Sequence, residues 1–490
     1  MDGVADLYVA TDGDDAWSGR LPAPSADGTD GPFATLARAR DAVRALRRGG
    51  RRGDLRVLIR GGRYDLAQTV VFGIEDGAGD TPDTITYAAY PGEEPVFGSG
   101  VRITGWRELD DWRLPLPSQA KEKVWVADVP EGLGRFFTLY DWDRSLPRAR
   151  SEGFAPTEQY LLPEQLWALT GSVKGDHQDL VSKLAFPPGA LRQWDNLEDV
   201  ELVIRPNYPT TLNILGLASV DEEAGVARTT LPGTYPLRRL YDRFRGQGDV
   251  AKSAWVENVL EALDSPGEWV LNTRERRIYL WPFGDEPGPD IRAPRLRELI
   301  RIEGVIDVDG PVDRPVRGIV LEGLAFTQGD RDLWTDDDAG VESDFEMVDK
   351  ANALVRLRGA ERCAVRRCRF FNSGGTGVRL DLHCQDDLIE QNELCHLGAT
   401  AIALIGYGPG TKDVNKRNRV VDNHIHHCGE IYWHSHGIVL SQSGENTVAR
   451  NYLHHLPRNA IGIYGVRPPF FDRGLAAARE CGRTIRRHEI

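Results

Sequence analysis

The sequence predicts an all-β fold: a right-handed parallel β-helix solenoid with an N-terminal capping helix and an inserted antiparallel β-sandwich-like domain. Three observations lead to this prediction. The last third of the chain repeats short β-branched strands, with equivalent positions 24, 31 and 28 residues apart. The middle of the chain interrupts that pattern. At 490 residues the chain also exceeds the ~250 to 300 residues at which single cores usually stop growing, a limit that a solenoid passes by repetition.

The first hundred residues predict a cap followed by the first coils. A strand at 7–10 and an acidic loop precede a helix that begins after Pro32-Phe33-Ala34-Thr35 and runs to about Leu46. Its apolar residues fall on one helical face, and the basic run 47–52 ends it. We expect this helix to cover the open end of the solenoid. Strands are expected at 56–59, 69–72, 85–89 and 95–97.

The coil pattern disappears from about Gly105 to Asp290. This stretch holds most of the 12 tryptophans, and its strand-like runs are separated by Pro and Gly turns. The pattern predicts an inserted antiparallel sandwich, after which coil-like strands resume near Leu299. The expected organisation is a cap with first coils at 1–104, an inserted β-rich domain at 105–292 and the main β-helix repeats at 293–490.

Four aligned segments define the coil, and a second strand follows each of them. The segments lie at 364–371, 388–395, 420–427 and 447–454. Alternation of side chains along each strand selects an inner face. One inner level is expected to hold Phe370, Leu394, Ile425 and Leu453, and another to hold Val378, Ile402, Ile438 and Ile461.

Asn392, Asn423 and Asn451 occupy one position of the repeat. Asparagine side chains at such a bend satisfy backbone groups of stacked strands, so we expect an asparagine ladder there. The six cysteines lack CxxC spacing and are few for this length. Reduced thiols are therefore expected rather than a disulfide framework.

Composition excludes several classes of protein. Hydrophobic residues make up 41% and charged residues 27%, which excludes a largely disordered chain. A formal net charge of -14 argues against nucleic acid or an acidic membrane surface as partner, and a neutral ligand fits better. Neither a signal peptide at 1–10 nor a run of 18 apolar residues is visible. We expect a cytoplasmic location for the chain as it stands, or an extracellular one if a signal was removed, and the oligomeric state stays open.

Four stretches carry a family resemblance: LYVATDGDDAWSG at the start, PFATLARARDAVRAL in the cap, WVENVLEALDSPGEWVLN with the later RIYLWP in the insert, and GYGPGTKDVNKRNRVVDNHIHHCGEIYWHSHGIVLSQSGEN in the coil. Together the chain resembles bacterial right-handed β-helix carbohydrate-active proteins of the pectin-lyase-like type. It is similar in style to the β-helix glycoside hydrolases that act on xylosides and fucosides. The resemblance covers essentially the whole chain and implies a carbohydrate substrate. In such relatives the coil commonly runs on for further repeats, which implies a truncated or divergent member.

A glycosidase needs two carboxyl groups across the scissile bond, about 5 to 5.5 Å apart for retention and about 6.5 to 9.5 Å for inversion, with one pKa raised. On a β-helix these groups are expected at outward positions. The alternation places Leu382 inward and Arg379, Asp381 and His383 outward. The candidate catalytic carboxylates are Asp381, Asp413 and Glu430.

Two loops widen beside that outer face, at 406–418 and 429–436. Extra residues in solenoid turns commonly build a binding rim, and the pair Tyr432 and Trp433 suits the apolar face of a sugar ring. The candidate substrate-binding residues are Arg379, His383, Tyr407, Lys412, Tyr432, Trp433, His434 and His436.

Neither a metal site nor a cofactor is expected in the coil, although ten of the eleven histidines lie from His383 onward. His396, His427 and His455 occupy one position in successive repeats, which predicts a turn ladder rather than convergence on one ion. The acidic loop 330–349 offers oxygen ligands of the kind that calcium takes, without the spacing of an EF-hand.

Two other functions stay open beside glycoside hydrolysis. A polysaccharide lyase needs a base and a cation at a uronate, for which Arg379, Lys412 and His383 could serve, although the acidic balance disfavours an anionic substrate. The third function is that of a non-catalytic carbohydrate-binding β-helix that lacks the last catalytic repeats.

Overall fold

The computed structural model describes residues 5–111, 113–142, 144–158, 178–205, 212–233, 236–238, 252–308, 310, 312–333, 350–407 and 412–464. Three parallel sheets wind around one hydrophobic core, which confirms the predicted parallel β-helix. Each complete coil adds one strand to sheet 1, then one to sheet 2, then one to sheet 3.

Within each sheet, consecutive strands are hydrogen-bonded neighbours. Sheet 1 consists of Leu7–Val9, Leu55–Ile59, Ile85–Ala89, Ile319–Glu322, Ala364–Arg366, Leu388–Glu390, Arg419–Val421 and Thr447–Ala449. Sheet 2 consists of Gly62–Asp65, Pro95–Gly98, Ala325–Thr327, Arg369–Ser373, Glu393–Leu397, His424–Cys428 and Tyr452–His454. Sheet 3 consists of Val70–Phe72, Ile300–Glu303, Ala353–Glu361, Thr376–Gln385, Ile402–Ile405, Ile438–Ser441 and Ile461–Tyr464, with Val316–Arg317 and Asn415–Lys416 beside its long strands.

Inner side chains of successive coils stack in register. Phe97, Phe326 and Phe370 form an aromatic column whose ring centroids are 5.9 and 5.1 Å apart. On the following coils this column continues with Leu394, Ile425 and Leu453. Sheet 3 supplies a second inner column of Val378, Ile402 and Ile438, and Ile461 continues its register on the last described coil. Both columns agree with the predicted alternation, except that Ile461 is 43% exposed.

An amphipathic helix, Leu36–Arg48, caps the first coil as predicted. The Thr35 hydroxyl accepts a hydrogen bond from the Arg38 backbone N–H at 3.1 Å, which satisfies one of the free donors at the helix start. Leu36, Ala39 and Val43 are buried in the solenoid core. Within the described ranges, the other helical segments are Gln178–Ser182 and the short 3-10 turns Ile74–Asp76, Leu197–Asp199 and Leu260–Ala262.

Three antiparallel sheets interrupt the coil between the sheet 2 strand Pro95–Gly98 and the sheet 3 strand Ile300–Glu303. The first contains Gly100–Arg102, Ile291–Pro294, Leu139–Asp141 and Arg144–Leu146. The second contains Arg107–Glu108, Trp125–Asp128, Arg277–Leu280 and Trp269–Asn272. The third contains Ala254–Glu257, Glu201–Ile204, Asn213–Asp221, Val226–Thr229 and Lys183–Ala185.

Long connections flank sheet 3 on both sides. The insertion leaves the coil at the corner between sheets 2 and 3, and so do the connections 328–352 and 429–437. At the other corner, between sheets 3 and 1, the long connections are 304–315 and 406–414. Loops placed by a rigid scaffold commonly carry function, so the outer face of sheet 3 is the candidate location of the functional site. We call it the sheet 3 face.

Asparagine side chains join successive coils at the turn between sheets 1 and 2. The Asn392 Oδ1 accepts a hydrogen bond from the Cys368 N–H at 2.9 Å. In the same way the Asn423 Oδ1 accepts from the Asn392 N–H, and the Asn451 Oδ1 from the Asn423 N–H, both at 3.0 Å. The three Nδ2 groups donate to sheet 1 carbonyls of Val365, Ile389 and Val420. These bonds confirm the predicted ladder and pair backbone groups that the bend would leave unsatisfied.

A second ladder, which the repeat alignment did not predict, lies at the turn between sheets 3 and 1. Its rungs are Asp387, Asn418 and Asn446, linked through backbone N–H groups at 3.1 and 2.9 Å. Asp387 accepts from the Cys363 N–H at 2.7 Å through Oδ1. Its Oδ2 is buried and accepts no hydrogen bond from a nitrogen or oxygen donor of the described residues. Burial raises the pKa of the Asp387 carboxyl well above its ordinary value.

We expect Asp387→Asn to stabilise the protein at pH 8, because an amide fills the rung without a charge. The folded-state pKa of Asp387 lies above the unfolded value. Its contribution is therefore complete below pH ~4 and is lost as the pH rises through the folded pKa. The free energy of unfolding should rise by roughly 1–3 kcal/mol at pH 8 and change little at pH 4, measured by urea unfolding.

Asn418→Asp in the next rung is the matched control and should destabilise the protein at pH 8. Equal stability of wild type and Asp387→Asn at that pH would show that the buried carboxyl costs nothing.

The described cysteines agree with the prediction of reduced thiols. Cys363, Cys368, Cys384, Cys395 and Cys428 are all buried and free, while Cys481 lies outside the described residues. Among the residues that the structure describes, no helix is both long and apolar enough to cross a membrane.

Candidate active site

The sheet 3 face changes character along the solenoid. One outward row carries, coil by coil, Arg301, Arg356, Arg379, Ala403 and Val439. The adjacent outward row carries Glu303, Arg358, Asp381, Ile405 and Ser441. The charged half therefore ends at the coil of Arg379 and Asp381, and an apolar half begins on the next coil.

Asp381 is the carboxylate at this boundary. The Arg379 Nη2 donates to its Oδ1 at 2.9 Å, and the Arg356 Nε donates to its Oδ2 at 2.7 Å. The side chains of Arg379 and Asp381 are both 0% exposed. Charge-assisted bonds of this kind are strong, and two guanidinium groups compensate the buried carboxylate.

Arg356 also reaches a second carboxyl group, that of Glu298. Its Nη1 lies 3.6 Å from the Glu298 Oε2, and the Arg301 Nη1 lies 3.0 Å from the Oε1. Burial raises the pKa of Glu298, although Arg356 and Arg301 oppose this effect. Because one guanidinium contacts both groups, the nearest oxygens of Asp381 and Glu298 are at most roughly 9 Å apart, which does not exceed the upper limit for glycosidase acid pairs.

A second buried polar cluster lies at the corner between sheets 3 and 1. The Asp313 Oδ1 accepts hydrogen bonds from the Tyr407 hydroxyl at 2.8 Å and the Lys412 Nζ at 2.9 Å. Its Oδ2 lies 3.3 Å from the His383 Nδ1. Burial alone would raise the pKa of Asp313, but the Asp307 N–H, Lys412 and Tyr407 hold it below its usual value. Three of the candidate binding residues thus meet around one carboxylate.

A β-bulge positions His383 for this contact. The register of the strand Thr376–Gln385 shifts against its neighbour, and Leu382 has a φ of 59°. As a result Leu382 is left out of the solenoid core, whereas Cys384 enters it as alternation from Val378 and Leu380 requires. The prediction that Leu382 faces inward is wrong, because strict alternation cannot anticipate an extra residue in the strand.

We expect Asp313→Asn to destabilise the protein, because Lys412 would stay buried without its carboxylate. Breaking a buried pair from one side costs roughly 3–5 kcal/mol, so urea unfolding at pH 7 should show a loss of that order. Asp413→Asn, which lies next to Lys412 but removes an exposed ion pair with Lys416, is the control and should leave the midpoint nearly unchanged. Equal midpoints for the two variants would contradict a stabilising cluster.

The insertion is fastened to the solenoid next to the sheet 3 face. The Asp330 carboxylate accepts hydrogen bonds from the Phe137 N–H at 3.1 Å and the Thr138 hydroxyl at 3.0 Å. Burial raises the pKa of Asp330 to about 6. The contact fixes the position of the insertion relative to the coils.

Tyr432 and Trp433 contribute to the same junction. The Tyr432 hydroxyl donates to the Asp332 backbone oxygen and accepts from the Arg331 Nη1 at 3.2 Å. The Trp433 ring packs on Trp255 of the insertion, with centroids 5.7 Å apart. Tyr432 is 2% exposed, so its ring is part of the packing between insertion and coil.

His434 and His436 are buried just before the strand Ile438–Ser441. The His436 Nε2 lies 2.6 Å from the Tyr464 hydroxyl, and the His436 N–H donates to the Thr400 hydroxyl at 3.0 Å. The His434 ring lies 6.3 Å from that of Tyr432. These histidines line the sheet 2 side of the sheet 3 face.

Glu430 and Asp413 lie in other turns. The Glu430 Oε1 is 3.1 Å from the His396 Nδ1, and the Asp413 Oδ2 is 3.1 Å from the Lys416 Nζ. Both carboxylates are exposed, at 43% and 56%, and in the described part of the chain neither is hydrogen-bonded to Asp381. The three candidate carboxylates are therefore not brought together.

Sequence reasoning missed Glu298, Arg356 and Asp313. The missed signal was the repeat itself, because aligning Ile300 and Val355 with Val378 places Arg356 and Glu298 beside the strand of Asp381. The acidic residues expected to offer oxygen ligands to calcium lie mostly at 334–349, outside the described residues. Asp330 and Asp332, at the edge of that loop, are engaged with the insertion and with Lys350.

Comparisons with known proteins agree with this architecture. The model of the right-handed beta helix region matches residues 353–469. A solved structure described as a glycoside hydrolase has a TM-score of 0.61 at 20% identity, over 95% of this chain and 88% of that chain. The complex of XylC with xylose has a TM-score of 0.42 at 11% identity, over 93% of this chain and 63% of that chain.

No curated protein matches the chain in sequence. The structural likeness and the stacked parallel sheets together establish the fold: the chain is a right-handed parallel β-helix with antiparallel sheets inserted into it.

Proposed function

We propose that the chain is a glycoside hydrolase that acts on an oligo- or polysaccharide with Asp381 and Glu298 as its acid pair. The observation that carries the proposal is that one guanidinium, Arg356, contacts both carboxyl groups. Pairs of carboxyl groups in unlike environments are the mark of glycosidase sites. A glycoside hydrolase among the solved structures of this fold supports the same activity.

The two carboxyl groups would take different roles. Glu298, whose pKa is raised by burial, donates its proton to the leaving oxygen as the glycosidic C–O bond breaks. Asp381, held between two guanidinium groups, acts on the anomeric carbon directly or through a water molecule. This role requires the substrate to displace part of the cover that leaves the Asp381 side chain 0% exposed. In the direct route, water that hydrolyses the glycosyl-enzyme supplies the new hydroxyl group and returns a proton to Glu298. In the route through water, Asp381 takes the proton of the attacking water, and the two carboxyl groups regain their starting states by exchange with solvent. The apolar half of the sheet 3 face, with Tyr464 beside it, suits the apolar face of a sugar ring.

The ion pairs argue against a lyase. A lyase needs a free cation to neutralise a uronate, and Arg379, Lys412 and His383 each already face a carboxylate. With the formal net charge of -14, this favours a neutral sugar as substrate.

Hydrolysis of aryl xylosides, fucosides, arabinosides and galactosides tests the proposal. We expect Asp381→Asn and Glu298→Gln each to lower kcat roughly 10²- to 10⁴-fold on nitrophenyl substrates. Glu298→Gln should lose far less on dinitrophenyl glycosides, whose leaving group needs no proton. The alkaline fall of the wild-type pH profile, caused by ionisation of Glu298, should be absent in that variant.

Glu430→Gln, which removes an exposed carboxylate, is the matched control and should keep wild-type turnover. A loss in Glu298→Gln that is equal for both leaving groups, with unchanged unfolding midpoint, would refute the role of Glu298 as acid. Turnover by Asp381→Asn at the wild-type rate would refute the acid pair.

A second candidate function is carbohydrate binding without catalysis. The observation that favours it is that the outward neighbours of Asp381 on the next coils, Ile405 and Ser441, carry no carboxyl group. Calorimetric binding of xylo- or fuco-oligosaccharides without release of reducing sugar would select this function over hydrolysis.

A further inference from the structure

The outer face of sheet 2 carries a patch of imidazoles that the proposed function does not use. Six histidines lie together on three successive coils, in the strands Glu393–Leu397, His424–Cys428 and Tyr452–His454 and directly after the last of them. They are His396, His424, His426, His427, His454 and His455. We call them the histidine patch.

Three of these side chains stack at equivalent turn positions, as the repeat predicts. The His396 and His427 rings are 5.0 Å apart with planes at 22°, and those of His427 and His455 are 4.6 Å apart at 11°. All three residues have a φ of 51°. Asn372, at the same position one coil earlier, has a similar φ of 47°. The turn therefore needs only a residue that tolerates the left-handed region, for which asparagine suffices.

The His426 side chain adds a nitrogen atom that approaches the stacked rings from the side. The His426 Nδ1 approaches the His427 Nδ1 to 2.8 Å, with the ring planes at 88°. His426 is also edge-on to His396, at 89°. The stacked rings of His396 and His427 and the perpendicular ring of His426 thus direct nitrogen atoms to one place from different directions.

His396, His426 and His427 each offer one ring nitrogen, and these three atoms lie within 4.8 Å of one another. Ligands around tetrahedral zinc, with Zn–N bonds of about 2.0–2.1 Å, are separated by ~3.3 Å, so small ring rotations bring the three nitrogens into range. His396 is 47% exposed, which leaves a fourth position open to water.

We propose that His396, His426 and His427 form a binding site for one divalent first-row transition-metal ion of the zinc class. Imidazole nitrogens suit zinc, copper and nickel, whereas calcium and magnesium require oxygen. The ion joins the coil of Glu393–Leu397 to that of His424–Cys428 and stabilises their contact.

One further feature favours this donor set. The Glu430 carboxylate lies 3.1 Å from the His396 Nδ1, and a carboxylate bonded to a ligating histidine fixes the orientation of its ring. A second group, His427 with His454 and His455, shares one of the ligands.

Titration of the full chain, free of any affinity tag and stripped with EDTA, tests the site. Zinc chloride in competition with a chromogenic chelator should give one ion per chain with a Kd in the micromolar range or tighter. Cobalt(II) should give the visible absorption bands of a tetrahedral site. The thermal midpoint should rise with added zinc, because the ion binds the folded chain alone.

Asparagine is the substitution of choice, because the turn tolerates it. His396→Asn and His427→Asn should weaken zinc binding at least tenfold and abolish the cobalt bands, with an unchanged midpoint in EDTA. His455→Asn, which alters only the second group, should keep both signals. Asp422→Asn is the matched control, at a φ of 58° on the same coil and outside the histidine patch.

Absence of zinc binding by the wild type at 100-fold the chain concentration would overturn the proposal. So would wild-type affinity in His396→Asn, or a loss confined to His455→Asn, which would assign the ion to the second group. None of these readouts depends on hydrolysis, so the result is independent of the proposed function.

Discussion

The register with which each coil hydrogen-bonds to the next is the constraint on which the rest of the structure depends. A shift by one residue would turn every inward side chain of a strand outward. The column of Phe97, Phe326 and Phe370 and the sheet 3 column that begins at Val378 exist in one register only. The two side-chain ladders reinforce that register, since each rung bonds the backbone N–H of the preceding coil. Hydrophobic burial favours compaction in general, whereas the buried ladders select the pairing.

The same translation along the solenoid makes every outward row a column of side chains about 4.8 Å apart. A row of like charges at that spacing would repel, and the row of Arg301, Arg356 and Arg379 is compensated by carboxylates in the rows beside it. In the column of His396, His427 and His455 the imidazole rings stack on one another. Rows of identical geometry thus give a salt-bridge network in one place and an imidazole patch in another.

Long connections decide which of these rows becomes enclosed. The corners on both sides of sheet 3 receive the insertion and four long connections, and Arg379 and Asp381 are buried beneath the chain although they point away from the core. Burial is what separates Glu298 from an ordinary surface glutamate, because it favours the protonated form. The histidines on the outer face of sheet 2 stay partly accessible. The acid-base chemistry and the metal binding that we propose thus lie on different faces of one scaffold.

The sequence alone determined the architecture of this protein. Periodic apolar residues, the spacing of Asn392, Asn423 and Asn451 and the helix after Thr35 sufficed to predict the coils, a ladder and the cap, because each depends on local alternation or on a repeat. They also sufficed to place Arg379 and Asp381 on one outer face. Only the tertiary structure decided that Glu298 lies near Asp381, that a bulge at Leu382 aims His383 at Asp313, and that Glu430 faces His396 instead of Asp381. These contacts join strands separated by the insertion and by connections of unequal length, and the distance between such segments follows from coil packing, which no local pattern encodes.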